Sequence, residues 1–108
     1  MDLSRLLPPT DAADLTERLR TVVDPEIGVN VVDLGLVYEC DVNAGVAYVL
    51  MTTTTPACPI GEFLEDQIRW ALLEAPGIVD VDVEVTHEPA WTPALMTPAA
   101  RQALGLPA

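Results

Sequence analysis

Thr52-Thr53-Thr54-Thr55-Pro56-Ala57-Cys58-Pro59-Ile60-Gly61 joins the end of an apolar strand to the start of a helix, and the chain reads outward from that junction. Upstream, Val46 to about Thr53 is apolar on both faces, as a central strand or one covered on both sides would be. Downstream, a helix is expected from about Gly61 to Ala75, with Leu64, Ile68, Ala71 and Leu72 as its inward stripe. Pro56 and Pro59 each fix φ, which stiffens the loop between them. A thiol is held in that loop. The thiolate is the reactive form of cysteine, and a helix N-terminus stabilises negative charge through its unbonded N–H groups and dipole. Four threonines add hydroxyl donors. Cys58 is therefore the best candidate for chemistry, although a free cysteine also serves as a small buried hydrophobe.

Before the junction, Pro8-Pro9 sets off an N-terminal tail, residues 1–9, from a domain expected over residues 10–108. Thr10 or Asp11 can cap a helix running to about Val23, with Leu15, Leu19, Val22 and Val23 on its inner face. Asp24-Pro25 should stop it. A loop with two glycines and three acids follows, Asp24 to Gly35. In the next strand, Leu36 to Val42, the alternation puts Leu36, Tyr38, Cys40 and Val42 on the core side. Cys40 reads as packing. Asn43-Ala44-Gly45 is a hairpin turn.

After the junction, Phe63 and Trp70 lie together beside the helical stripe, as core edge by preference, or as a self-association patch if exposed. Pro76-Gly77 ends the helix. Val79, Val81, Val83 and Val85 alternate with Asp80, Asp82, Glu84 and Thr86, a half-buried strand with its valines inward. Thr97 caps a short helix over Pro98–Leu104, closed by Gly105. The order α-β-β-α-β plus a terminal helix implies an α+β fold, a two-layer α/β sandwich. Its economical form is a three-stranded mixed sheet with helices on one face. If the second and third strands are parallel, their crossover should be right-handed.

With 17 acidic and 5 basic side chains, net −12, the chain should repel nucleic-acid backbones and anionic membranes. A basic protein partner suits it better. No apolar run approaches the ~20 residues that span a bilayer, and Met1 to Leu7 lacks a secretory pattern, so a cytoplasmic location is expected. Two cysteines there would be thiols, not a disulfide framework.

One histidine and two cysteines cannot close a four-ligand Cys/His zinc site within one chain. His87 continues the inward phase of the third strand and could reach the Cys58 loop if that strand lay beside the second, although a lone histidine at a strand end more often serves as a half-buried polar residue. Within reach, a thiolate–imidazolium pair becomes possible, with Cys58 as nucleophile, His87 as base and Asp24, Glu26 or Asp33 as orienter, though nothing in the spacing requires it. The alternative use of the thiolate is as a soft ligand for iron or a labile iron–sulfur cluster. One cysteine leaves a cluster underligated, so a homodimer, a partner protein or a small thiol would have to complete it. An incomplete ligand set suits transfer better than storage.

Asp24-Pro-Glu-Ile-Gly-Val-Asn-Val-Val-Asp-Leu-Gly-Leu-Val-Tyr38 resembles the opening signature of the SufT/PaaD-like metal–sulfur cluster assembly family, and Thr52 to Pro59 resembles its cysteine motif. Pro76 to Val81 and Trp91 to Arg101 are similar to its later blocks, in the same order. The similarity covers about Leu15 to Leu106. Thr97-Pro98 stands where a Ser-Glu pair is common, and capping is preserved.

The resemblance implies an FSCA-like domain and an accessory role in maturing iron–sulfur proteins, alongside assembly machinery and client apoproteins. It carries the key cysteine to Cys58 and the acidic positions to Glu26 and Asp33. Thr54 and Thr55 fall in the same loop, and Cys40 matches no motif. The absence of a cysteine-rich C-terminal segment is similar to the SufT-like branch. A nearby Glu26 or Asp33 would raise the Cys58 pKa while the helix dipole lowers it. Two rivals stand beside this expectation. One is a cysteine-nucleophile enzyme; the other is a metal-free adaptor working through its acidic face and the Trp91–Met96 segment.

Overall fold

The computed structural model describes residues 11–55 and 60–106. The expected tail 1–9, Thr10 as a cap, and the Pro56–Pro59 segment with Cys58 lie outside the described residues.

Helix α1 spans Ala12–Leu19. Asp11 caps it by accepting from the Asp14 N–H at 2.9 Å, and the Asp14 carboxylate accepts from the Asp11 N–H at 3.3 Å. This reciprocal pair satisfies two backbone donors that the first turn cannot. The helix ends short of Val23, because the Thr21 and Val22 N–H groups bond back to Arg18 and Leu19 in tighter turns. Val22 still packs inward, but Val23 is exposed and bridges to Asn30 instead.

The sheet holds β1 (Val37–Asn43), β2 (Val46–Met51) and β3 (Asp80–Val85) in the order β1-β2-β3. β1 and β2 are antiparallel; β2 and β3 are parallel and joined through helix α2, Gly61–Leu73. The result is the expected α+β fold with a three-stranded mixed sheet. The hairpin turn uses Ala44 at φ 50° and Gly45 at φ 81°, the left-handed pair of a type I′ turn. A Cβ on Gly45 would also lie 2.9 Å from the Gly77 carbonyl oxygen.

Leu15 and Leu19 of α1, Leu64, Ile68 and Leu72 of α2, and Ala47, Val49 and Met51 of β2 share one core with Val81 of β3. Both helices therefore lie on one face of the sheet. Each fully buried Leu or Ile there contributes about 1.5–3 kcal/mol.

Side chains depart from simple periodicity in three places. In β1, Val37 pairs with Met51 and Glu39 with Leu50, so Tyr38 is an extra residue in a β-bulge. Val37 thereby packs with Cys40 and Val42 against the core, while the Tyr38 hydroxyl donates to the Pro89 carbonyl at 2.7 Å. Val79 precedes the sheet and is 75% exposed. Phe63 and Trp70 are not core edge, being 47% and 71% exposed. At 100° per residue they share a line that runs beside the buried Leu64–Ile68–Leu72 stripe, without turning into it.

The C-terminal segment is docked rather than free. Trp91 Nε1 donates to the Leu34 carbonyl at 2.7 Å, Met96 is buried, and a 3₁₀ turn at Pro93–Leu95 leads into α3, Pro98–Ala103. Thr97 caps α3 by accepting from the Ala100 N–H at 3.2 Å.

Candidate functional site

Three chain segments meet at Thr53. It follows β2 and is buried. Its hydroxyl donates to the Thr55 carbonyl at 2.6 Å, and its oxygen lies 2.9 Å from His87 Nε2, just beyond β3. A hydroxyl has one proton. Since that proton goes to Thr55, the Thr53 oxygen accepts from His87, which makes Nε2 the protonated nitrogen and Nδ1 the acceptor of the neutral ring. His87 comes beside Thr53 because β3 lies next to β2, with Met51 opposite Val85.

The start of α2 approaches the same side chain. A Cβ on Gly61 would sit 3.5 Å from Thr53 Cγ2, an ordinary packing distance. Ile60 occupies the N-cap position and gives no side-chain hydrogen bond there, so its side chain satisfies none of the first-turn N–H groups. Thr54 is half-buried and Thr55 exposed. These residues flank the segment that contains Cys58.

The acidic candidates are engaged elsewhere. Asp33 Oδ1 accepts from Arg20 at 2.6 Å, and Oδ2 accepts from Asn30 Nδ2 at 2.8 Å. The Asn30 side chain in turn accepts from the Val32 and Asp33 N–H groups, and the Asp33 carbonyl accepts from Thr97. The hydrogen bond from Asn30, with Arg20 adding to it, holds the Asp33 carboxyl below the ordinary carboxylate range. Asp33 thus ties α1, its own loop and the start of α3 together.

Glu26 is exposed. The buried Asp24 carboxylate is spent on its own turn, accepting from the Glu26 and Ile27 N–H groups at 2.9 and 3.2 Å. Among the described residues, no hydrogen bond or ion pair joins Glu26 or Asp33 to Thr53–Thr55 or His87, and no three His, Cys, Asp or Glu residues are grouped to hold a metal ion.

The profile of a family described as iron-sulfur cluster assembly protein matches residues 12–85. The chain belongs to this family. It is similar to an Fe-S protein maturation auxiliary factor of Porphyromonas gingivalis, with 43% identity over 85% of this chain and 89% of that one. It is also similar to the Fe-S protein maturation auxiliary factor SufT of Staphylococcus aureus, again at 43%, over 79% of this chain and 98% of that one. A crystal structure of a domain of unknown function, DUF59, from Bacillus anthracis superimposes with a TM-score of 0.85 at 32% identity. That likeness covers 89% of this chain and 92% of the other.

Within this iron–sulfur cluster assembly chain, Cys40 packs half-buried against the core, and burial pushes its thiol pKa up. A thiol kept protonated is a poor nucleophile and a poor ligand. Thr53, Asn30 and Arg20 escaped the sequence-based candidates. Thr53 was one of four consecutive threonines, and no local signal marks which of them turns inward.

Proposed function

We propose that this protein is an accessory factor in iron–sulfur cluster assembly, not an enzyme. Cys58 binds iron or a labile cluster as cargo, in transit to client apoproteins, in contact with assembly machinery. The observation that supports the reading is the convergence on Thr53, where the end of β2, His87 and the start of α2 meet; Thr53–Thr55 and Ile60 flank Cys58 along the chain. Membership of the family and the names of both bacterial relatives support the same role. The working unit is the single domain 10–108, with Cys58 as the working residue and Thr54, Thr55, His87, Glu26 and Asp33 as its supporting residues.

One thiol per chain cannot complete a cluster's ligand set, which favours a homodimer or a partner's thiol during transfer. The exposed Phe63, Trp70 and Leu73 on α2 offer apolar surface for a second copy. Neither nucleic acid nor membrane is a partner of so acidic a chain, and the described residues include no helix long and apolar enough to cross a membrane. A cytoplasmic location fits a reduced thiol.

Anaerobic reconstitution with iron and sulfide tests the reading. Visible charge-transfer absorption should appear with wild type and vanish with Cys58→Ala, whose delivery to an apo client should fall to that of free iron and sulfide. Undiminished transfer by folded Cys58→Ala would remove the thiol from the mechanism.

A further inference from the structure

The proposed thiol chemistry leaves one large surface unused, the open face of the sheet. Because α1 and α2 cover the opposite face, alternate residues of three strands stand here in rows. Asn43, Val46 and Asp80 form the first, Asp41, Tyr48 and Asp82 the second, and Glu39, Leu50 and Glu84 the third. The middle of each row, from β2, is apolar or aromatic. The flanks are carboxylates except at Asn43, and all of them are exposed. No lysine or arginine occurs on any of the three strands. Among the described residues, none of these five acids is in an ion pair.

The dimensions are those of a helix seat. Neighbouring strands are about 4.8 Å apart, so the acidic rows of β1 and β3 are separated by about 10 Å, close to the diameter of an α-helix. Both ends of the apolar strip are indented. A cavity of about 500 Å³ is lined by Asp41, Asn43, Val46 and Tyr48, and one of about 460 Å³ by Tyr38, Glu39, Leu50 and Pro89. Between them the strip is bordered by the carboxylates of Glu39, Asp41, Asp82 and Glu84. The Tyr48 hydroxyl donates to Glu84 at 2.7 Å, and that bond, with the charges of Glu84, Glu39 and Asp82 adding to it, pushes its pKa up to about 12.

We propose that this face docks an amphipathic helix of a partner protein, one with an apolar stripe bordered on both sides by lysine or arginine. Charge decides the occupant. A second copy would set carboxylates against carboxylates, and nucleic acid or an anionic membrane would be repelled in the same way. A cationic helix would place its basic borders over the two acidic rows and its apolar stripe on Val46, Tyr48 and Leu50. The interaction requires neither Cys58 nor iron, so it stands or falls separately from cluster transfer.

The probe is a synthetic 14-residue helix with leucine on one stripe and lysine elsewhere, titrated into ¹⁵N-labelled protein, with a glutamate-for-lysine peptide as control. Two double variants carry the same charge change at different places: Glu39→Lys with Asp82→Lys on the sheet, and Asp66→Lys with Glu74→Lys on and after α2. Amide shifts should concentrate on β1, β2 and β3. The sheet variant should bind about tenfold more weakly or worse, and the helix variant within about twofold of wild type. Equal losses from both variants would reduce the effect to net charge and overturn the proposal, as would shifts centred on α1 or α2. Should either lysine variant unfold, Glu39→Gln with Asp82→Asn, against Asp66→Asn with Glu74→Gln, makes the same comparison.

Discussion

Replacing Thr53 by valine keeps its shape and removes only the hydroxyl, so it isolates the two hydrogen bonds at the centre of the site. The bonds measure 2.6 Å to the Thr55 carbonyl and 2.9 Å to His87. A typical net contribution is about 1 kcal/mol per bond, and water can re-pair the half-buried imidazole but less readily the groups around a buried Thr53. The expected cost is therefore about 1–2 kcal/mol. For a domain of this size that lowers Tm by roughly 4–8 °C. Urea unfolding followed by tryptophan fluorescence measures the cost, and the ¹⁵N shifts of the His87 ring report the tautomer. Wild type should show protonated Nε2 in the neutral ring, and Thr53→Val should show a mixture. Stability within about 0.5 kcal/mol of wild type, the range of an ordinary surface substitution, together with unchanged ring shifts would refute the hydrogen-bond assignment.

Other expectations follow from the same geometry. Because the Asp33 pKa is depressed in the folded state, its contribution to stability is present above its ordinary value of 3.8 and is lost as pH falls below that towards the folded value. Asp33→Asn should flatten that acid limb of a stability–pH profile; an unchanged limb would deny the Asn30 and Arg20 contacts of its carboxylate any role in lowering that pKa. Gly35 is at φ 79° with the Leu95 backbone against the place of a Cβ, so Gly35→Ala should cost about 2 kcal/mol or more in chemical unfolding. Native-state alkylation at neutral pH should label Cys58 before Cys40, whose thiol is held protonated by burial. Peptide mapping that found Cys40 labelled first would contradict that order.

Local pattern made much of this protein legible. The type of each element follows from a period near 3.6 in α1 and α2 and near 2 in β3. The ends marked by Asp11, Thr97 and the Asn43-Ala44-Gly45 turn follow from side-chain and backbone chemistry within a few residues. Family membership was legible because its motifs are contiguous, Asp24 to Tyr38 above all.

Alternation failed where geometry added a residue or an element stopped early. The Tyr38 bulge exchanged Tyr38 for Val37 on the core side, and Val23 and Val79 lay outside the elements whose periodicity claimed them. Phe63 and Trp70 misled for a different reason: periodicity shows that two residues share a helix face, but not whether anything covers that face.

What the sequence determined by itself was the alphabet of elements, their order and their caps, because those depend on neighbours within about one helical turn. Tertiary structure alone decided the partners. His87 reaches Thr53 across 34 positions, Tyr48 reaches Glu84 across 36, and Asp33 is held by Arg20 rather than directed toward the threonine loop. These pairs exist because β3 returns parallel to β2 and α1 lies beside the Asp24–Gly35 loop. Distance in space along such a path is set by packing of the whole core, and no local spacing encodes it.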